Sequence, residues 1–219
     1  DGTLRSTWGK FKPTGSEADF PGFQAFAFRS TVTSSGSSSI ESQLNQTPAF
    51  GGFHLGGGIA DPAPTFDVTD GTLTVSAVLL DKPASDAGEA GGSRNNIRSG
   101  FTKSGAGTMV LSGANEYTGD TTLAGGTLQL AADGSLRFAV NTDTGLFNAI
   151  GGSAGSLLLD GTFFLDLDDA STAPGTSWTL VDGTAITEVY GGSFAIDSSL
   201  GSFSASGGEW TLVAGGNTW

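Results

Sequence analysis

Residues 100–130 read GFTKSGAGTMVLSGANEYTGDTTLAGGTLQL, a stretch in which glycine-rich turns separate short aliphatic runs. Histidine and cysteine are absent from it, and only three of its residues carry charge. Within each run apolar and polar residues alternate, with the period of two that is typical of a half-buried β-strand. Leu111 and Leu130 stand in similar settings nineteen residues apart, a spacing that fits the coil of a β-solenoid. The stretch is better suited to stacking than to catalysis.

Similar strand signals continue on both sides of this stretch. Alternating runs that follow turns rich in Gly, Asp or Asn recur at residues 70–80, 107–113, 125–140, 155–169, 177–192 and 207–216. The chain has 36 glycines, and glycine costs roughly 1 kcal/mol per helical position relative to alanine, so long helices are disfavoured. We predict an all-β fold. Periodicity alone leaves a β-helix and a β-sandwich both open.

The first fifty residues differ from the rest in composition. They contain a polar run at residues 34–39, which indicates a loop or a flexible connection. We predict an N-terminal arm or cap over residues 1–50 and a β-solenoid over residues 51–219. The arm contains Trp8 and a cluster of phenylalanines at Phe11, Phe20, Phe23, Phe26 and Phe28.

Charge and composition exclude several classes of function. Nine Lys and Arg residues against 22 Asp and Glu give a net charge of −13, which would repel a phosphate backbone, so we predict no nucleic-acid partner. Cysteine is absent, so disulfides cannot stabilise the fold. No window approaches eighteen consecutive apolar residues, and we predict no transmembrane segment.

Within residues 100–130, many positions carry a fixed residue type at a fixed spacing. The pattern closely resembles the passenger-associated repeat of autotransporters, also called the autotransporter-associated β-strand repeat. That resemblance implies a right-handed parallel β-helix in which the repeat forms about one coil and a half. It places Met109 and Leu123, together with the repeat leucines, inside the coil and several glycines at its corners. The structural positions of the repeat are Gly105, Gly107, Leu111, Gly113, Asn115, Tyr117, Gly119, Thr122, Gly126, Leu128 and Leu130.

The flanking sequence is similar to secreted repeat proteins of Verrucomicrobia-like bacteria, many of which carry an exosortase-type sorting tail. Residues 1–219 contain neither such a tail nor the membrane barrel of an autotransporter, so the secretion route stays open. The chain starts at Asp1 without a leader, as a chain would after signal-peptide removal. The resemblance therefore implies a bacterial protein that is extracellular or attached to the cell surface.

The acidic residues near the strand run FFLDLDD are the best candidates for a ligand site. Asp166 and Asp168 alternate with leucines and share an outer face, about 7 Å apart by the strand rise. Together with Asp169, and with Asp160 nearby, they are candidates for binding calcium, but the loop that supplies six to eight oxygen ligands is absent. We favour a solvated strand face with edge-protecting charge and predict no metal site.

No motif supports catalysis or cofactor binding. The glycine-rich segments SGAGTM and HLGGGIA lack the full dinucleotide and P-loop patterns, so we assign their glycines to turns. Parallel β-helices can host polysaccharide lyases and hydrolases, but those need carboxylates set in a cleft, and no basic residue lies near Asp166 in sequence. His54 is the only histidine of the chain. We predict no catalytic residue and no cofactor.

A structural function makes better use of these features. A solenoid presents open strand edges at its ends, and open edges recruit other chains unless they are capped. We predict an extracellular structural protein that self-associates through the solenoid ends and the N-terminal arm into a filament or surface layer. The alternative is a monomeric, adhesin-like passenger that binds glycans or surfaces through exposed Ser, Thr, Asn and aromatic side chains.

Overall fold

The structure, a computed structural model, is a stack of coils built from short strands. It describes residues 2–7, 25–43, 52–56, 61–82, 97–141, 146–171, 173, 176–207, 209–214 and 217–219. Every secondary-structure element in those ranges is a β-strand, and the strands of neighbouring coils pair in parallel. The predicted all-β solenoid is confirmed. The sandwich alternative is wrong, because strands between residues 100 and 190 pair in parallel with the neighbouring coils, apart from one short antiparallel strand.

Each coil contributes strands to three faces, and strands are numbered here in chain order. The first face contains β3 (Val32–Ser34), β6 (Thr65–Val68), β9 (Phe101–Ser104), β12 (Thr121–Leu123) and β16 (Ile150–Gly152). The second face is a seven-stranded sheet of β1 (Gly2–Thr7), β4 (Ser37–Gln43), β7 (Thr72–Val75), β10 (Thr108–Leu111), β13 (Thr127–Leu130), β17 (Ser156–Leu159) and β19 (Thr187–Tyr190).

The third face is made of two sheets. The first contains β2 (Ala25–Ala27), β5 (Gly52–His54) and β8 (Leu79–Leu80). The second contains β11 (Ala114–Asn115), β14 (Ser135–Asn141), β18 (Thr162–Asp169) and β20 (Ala195–Ser198), with β15 (Leu146–Phe147) antiparallel to β14. Two antiparallel hairpins follow, β21 (Ser204–Ser206) with β22 (Glu209–Thr211), and β23 (Val213–Ala214) with β24 (Asn217–Thr218).

The register explains the spacing seen in the sequence. Leu111 pairs with Val75 on one side and with Leu130 on the other, and Leu130 pairs with Leu159. The nineteen-residue step from Leu111 to Leu130 is therefore one coil, whereas the coils before and after it are longer, with 36 residues from Val75 to Leu111 and 29 from Leu130 to Leu159. Equivalent side chains stack at the roughly 4.8 Å spacing of neighbouring strands. Residues 101–130 span all three faces of one coil and two faces of the next, which matches the predicted length of about one coil and a half.

Aromatic side chains stack through the interior from coil to coil. Phe28 lies parallel to Phe53, with ring centroids 4.8 Å apart, and edge-on to Phe66 at 5.2 Å. Phe66 contacts Phe101, and Phe101 contacts Tyr117. Such pairs contribute about 0.5–1.5 kcal/mol beyond the area they bury. A second stack in later coils contains Phe138, Phe163 and Phe194.

Strands from the first fifty residues extend all three faces. β3 pairs with β6, β4 pairs with β7, and β2 pairs with β5, each in parallel. Phe28 is buried in the aromatic stack. The boundary at residue 50 and the role of an arm stay predictions, and Trp8, Phe11, Phe20 and Phe23 lie outside the described residues.

Candidate functional site: the interior of the repeat coil

Four leucines and one methionine within residues 101–130 form the inner wall of two coils. The three leucines Leu111, Leu128 and Leu130 are at most 1% exposed, and Met109 and Leu123 are completely buried. Met109 pairs with Leu128 across the strands β10 and β13. Full burial of one such side chain contributes roughly 1.5–3 kcal/mol, so this column of side chains supplies much of the stability of the coil.

Lys103 is a buried cation at the turn between β9 and β10. Its side chain is 0% exposed. The Nζ donates hydrogen bonds to the carbonyl oxygens of Ser104 at 2.6 Å, Gly105 at 3.0 Å and Gly125 at 3.1 Å. Desolvation lowers the pKa of Lys103, while the negative charge of Asp67 acts in the opposite direction. The ammonium group thus joins the turns of two successive coils, since Gly125 belongs to the coil after Gly105.

Two glycines shape the turns around this ammonium group. Gly105 and Gly126 have φ values of 76° and 66°, a region that side chains with a Cβ rarely adopt. A Cβ on Gly126 would lie 2.9 Å from the Lys103 Nζ and 2.4 Å from the carbonyl oxygens of Gly105 and Gly107. Both positions therefore require glycine for backbone conformation, and Gly126 also leaves the space that the lysine occupies.

Asn115 links three successive coils through its side-chain amide. Its Oδ1 accepts a hydrogen bond from the Leu79 backbone N–H at 3.1 Å. Its Nδ2 donates to the carbonyl oxygens of Gly113 at 2.9 Å and Ser135 at 3.2 Å. Asn115 is only 2% exposed, so these bonds satisfy buried polar groups where the third face changes from one sheet to the other.

Asp81 is a second buried polar residue that joins coils. Its Oδ1 accepts hydrogen bonds from the backbone N–H groups of Ser99 at 2.9 Å and Thr118 at 2.8 Å, and its Oδ2 accepts from the Thr118 hydroxyl at 2.6 Å. The Asp81 backbone carbonyl oxygen contacts Nδ1 of His54. Desolvation lowers the pKa of His54, which favours the neutral imidazole that donates to this carbonyl.

Tyr117 closes the inner corner of the repeat coil. Its side chain is 3% exposed, and its hydroxyl forms a 2.6 Å hydrogen bond with the hydroxyl of Thr121. Burial raises the pKa of Tyr117 well above its ordinary value of 10.0. The tyrosine therefore stays neutral at physiological pH and serves in packing and hydrogen bonding.

The other predicted repeat positions lie at turns or on the outer surface. Gly107 precedes β10, Gly113 lies between β10 and β11, and Gly119 lies between β11 and β12. Thr122 lies in the middle of β12 and is exposed. The repeat residues thus divide into an inner column, a set of turns and an outer face.

The acidic candidates are not gathered into a metal site. Asp166 forms an ion pair with Arg137, which lies on the neighbouring strand β14. Asp169 accepts a hydrogen bond from the Asn141 Nδ2 at 3.1 Å, and the Asp160 Oδ1 accepts one from the Ser193 backbone N–H at 2.8 Å. Asp168 is exposed. In the part of the chain that the structure describes, no three His, Cys, Asp or Glu residues are grouped to hold a metal ion.

The comparisons with known proteins agree with this geometry. The family model described as Passenger-associated-transport-repeat matches residues 101–130. Residues 101–130 are a passenger-associated transport repeat. The chain is also similar to the Adhesin BmaC autotransporter of Brucella suis biovar 1 (strain 1330), with 34% identity over 122 residues. The match covers 52% of this chain and 3% of the adhesin, so the chain spans a small fraction of that relative. No solved structure matches the chain.

Sequence reasoning missed two polar links between coils, one of which reaches the passenger-associated transport repeat. Asp81 lies before the repeat. Nothing in its local sequence indicates that it accepts hydrogen bonds from Ser99, eighteen residues away, and from Thr118, thirty-seven residues away. Arg137 is distant from Asp166 in sequence but adjacent in the sheet. The nineteen-residue step from Leu111 to Leu130 does not predict these links, because the coils on either side of the repeat are longer than nineteen residues. No helix long and apolar enough to cross a membrane occurs among the described residues.

Proposed function

We propose that this chain is a non-enzymatic β-solenoid segment of a bacterial surface protein of the adhesin type, located outside the cell. The observation that carries the proposal is the transport repeat within an uninterrupted parallel sheet, together with the similarity to an autotransporter adhesin over half of the chain. The polar interior residues of the repeat are used in links between coils. A rigid stack of this kind extends a chain from a surface and presents long outer faces.

The second face offers a contact surface of suitable chemistry. Inward residues such as Leu73, Met109 and Leu128 are buried, so the alternate positions of the same strands point outward. The register aligns one hydroxyl residue per coil along this face, at Ser37, Thr72, Thr108, Thr127, Ser156 and Thr187. An aligned row of hydroxyl groups at strand spacing suits hydrogen bonding to uncharged glycans on a surface.

This adhesive role is tested with a matched pair of triple variants. In the first, Thr72, Thr108 and Thr127 are changed to Val, which removes the hydroxyls and keeps the β-branched shape. In the control, Thr65, Thr102 and Thr122 of the first face, which are also aligned by the register, are changed to Val. Binding to an array of neutral glycans should fall about tenfold or more for the first variant and stay unchanged for the control, since each lost hydrogen bond is worth about 0.5–1.5 kcal/mol.

Failure of the unaltered chain to bind any neutral glycan would overturn the adhesive role. Equal losses in both triple variants would show that the second face has no special function. Circular dichroism and thermal unfolding of each variant separate loss of binding from loss of fold.

End-to-end self-association is a second candidate function, favoured by the two edge strands of the second face. At one edge Leu4 of β1 is 49% exposed, and at the other Val189 of β19 is 50% exposed. The described strands leave the outer edge of β19 without a strand partner, and such an edge can pair with another chain. This association would produce the filament or surface layer expected from the sequence.

The edge is tested by placing a charge on it. Val189→Lys should abolish a concentration-dependent increase in mass measured by light scattering after size-exclusion chromatography, because a lysine on an edge strand opposes pairing. The control is Val213→Lys in the hairpin, where the native side chain is 72% exposed. A monomer at every concentration would exclude self-association. Deletion of residues 1–24, which leaves β2 and the buried Phe28 in place, tests the predicted arm separately, since assembly should then be lost with the fold retained.

A further inference from the structure

A cavity of about 580 Å³ lies beside the last coils, where the long strands β14 and β18 extend past the shorter strands of the other faces. Its floor is formed by Val140, Leu165 and Leu167, all buried. Trp178 and Trp219 are among the residues of its walls. We propose that this cavity binds a small, uncharged, largely apolar molecule that contains a ring and one hydrogen-bond acceptor.

The size and the walls of the cavity indicate a specific class of ligand. Its volume lies within the roughly 300–1,000 Å³ range of small-molecule sites. None of the described residues that line it is charged, although the whole chain carries a net charge of −13. Two indole rings and the nearby ring of Phe203 favour a flat, apolar ligand that stacks on aromatic faces.

The indole N–H of Trp219 adds a polar requirement. Its Nε1 is buried and has no hydrogen-bond acceptor among the described residues. The Trp219 backbone is fixed by two hydrogen bonds with Leu212, at 2.8 Å and 3.2 Å. A buried donor without an acceptor is costly, and tryptophan N–H groups in buried positions normally find a partner. Because Trp219 lines the cavity, a turn of its ring would bring this donor to an acceptor on a bound ligand.

The folding of the chain explains why the cavity exists. β18 has eight residues and β14 has seven, whereas the second-face strands of the same coils have four. After β18 the chain returns to the first face only at Val181, which forms a bridge with Ile150. Described residues between these two points, among them Ala173, Thr176 and Trp178, line the cavity together with Trp219, which follows the final hairpin.

The cavity is tested with the uncharged fluorescent probe N-phenyl-1-naphthylamine, whose emission rises in apolar surroundings. We expect a saturable increase in emission with one probe per chain. Ala173→Trp, at an exposed position that lines the cavity, should abolish the increase by filling the space. Ala114→Trp, at an exposed position in the repeat coil, is the matched control and should bind as the unaltered chain does. If Ala173→Trp fails to fold, Thr176→Trp at the same wall replaces it.

The hydrogen bond is tested by competition between 2-acetylnaphthalene and 2-isopropenylnaphthalene, which have nearly the same shape but differ in the carbonyl oxygen. The carbonyl compound should displace the probe at about fivefold lower concentration, the effect of one hydrogen bond. Trp219→Phe removes the N–H and should abolish this preference while probe binding remains. Non-saturable binding, binding that persists when the cavity is filled, or equal displacement by both compounds would overturn the proposal.

Discussion

Lys103 is the residue whose position is most unusual for its type, because lysine is almost never fully buried without compensation. The compensation here is three carbonyl oxygens from the turns of two coils. The lysine side chain suits this arrangement because its stem is flexible and the three N–H donors of its ammonium group point in different directions, so each can reach a carbonyl oxygen. The lysine of the repeat is therefore a structural cross-link between coils.

Lys103→Met should destabilise the protein while keeping the length of the side chain. The variant leaves three carbonyl oxygens without their charged donor, and hydrogen bonds to charged groups contribute about 1.5–3 kcal/mol. We expect a loss of that order, reduced by the relief of ammonium desolvation, in the free energy of unfolding measured with urea. Lys82→Met is the control. It changes a partly exposed lysine whose Nζ donates to the backbone carbonyl oxygen of Asp61, and it should lower the free energy of unfolding by less. An equal or smaller loss for Lys103→Met would contradict the cross-link.

Tyr117 should make the fold sensitive to alkaline pH. Its folded-state pKa is raised above 10.0 by burial, so the stability that it contributes is complete below pH 10 and is lost as pH rises toward the folded-state pKa. Relative to Tyr117→Phe, the unaltered chain should lose ~1.4 kcal/mol per pH unit in that range. Burial is the main cause that raises the pKa of Tyr190 to about 12. Tyr190 is present in both proteins, so its contribution to the pH dependence cancels in the comparison.

The comparison with Tyr117→Phe also removes the contribution of Lys103. The pKa of that lysine is lowered, so its own effect has the opposite sign: stability rises with pH up to 10.5. Below pH 10 the phenylalanine variant should be about 1 kcal/mol less stable, through loss of the hydrogen bond with Thr121. Parallel pH profiles for the two proteins above pH 10 would show that Tyr117 is accessible to solvent.

At the scale of elements, the turns between strands are held by carboxylates that accept backbone N–H groups from a neighbouring coil. Asp70 accepts from Gly36 at 2.8 Å, Asp120 accepts from Ala149 at 2.9 Å, and Asp160 accepts from Ser193 at 2.8 Å. Each bond joins one coil to the next outside the β-ladder. Some of the many aspartates of the chain therefore hold its turns in place.

Asp81→Asn should be more destabilising than the same change at Asp70. The carboxylate of Asp81 is buried and accepts three hydrogen bonds, whereas Asp70, at an exposed turn, accepts one from the Gly36 N–H and a long one of 3.4 Å from the Thr69 hydroxyl. We expect a loss of about 1.5–3 kcal/mol for Asp81→Asn and under 1 kcal/mol for Asp70→Asn in urea unfolding. The result that would contradict this ranking is an equal effect of the two substitutions.

At the scale of the whole molecule, stability should vary along the stack because each coil contacts only its neighbours. The strands β7, β10, β13 and β17 alternate buried and partly buried residues and have a strand on each side. In β19 all four residues are at least partly exposed, and only one side is paired within the described sheet. The central coils are thus more strongly packed than the last ones.

Amide hydrogen exchange followed by mass spectrometry should reveal this gradient. Amides of β10 and β13 should be the most protected, and those of β19 and of the hairpins β21–β22 and β23–β24 should exchange first, because exchange there needs only local opening. Uniform protection from residue 101 to residue 219 would instead indicate that the stack unfolds as one cooperative unit.

The sequence by itself determined the coil. The alternation within each run, the nineteen-residue step from Leu111 to Leu130 and the glycines Gly105 and Gly126 are local features, so they could be identified without knowledge of any distant contact. Only the tertiary structure decided which polar groups meet. The links from Asp81 to Thr118, from Arg137 to Asp166 and from Lys103 to Gly125, like the cavity lined by Trp178 and Trp219, depend on the stacking register and on how far each strand extends. Those quantities are set by packing between coils, and the local pattern of residues does not encode them.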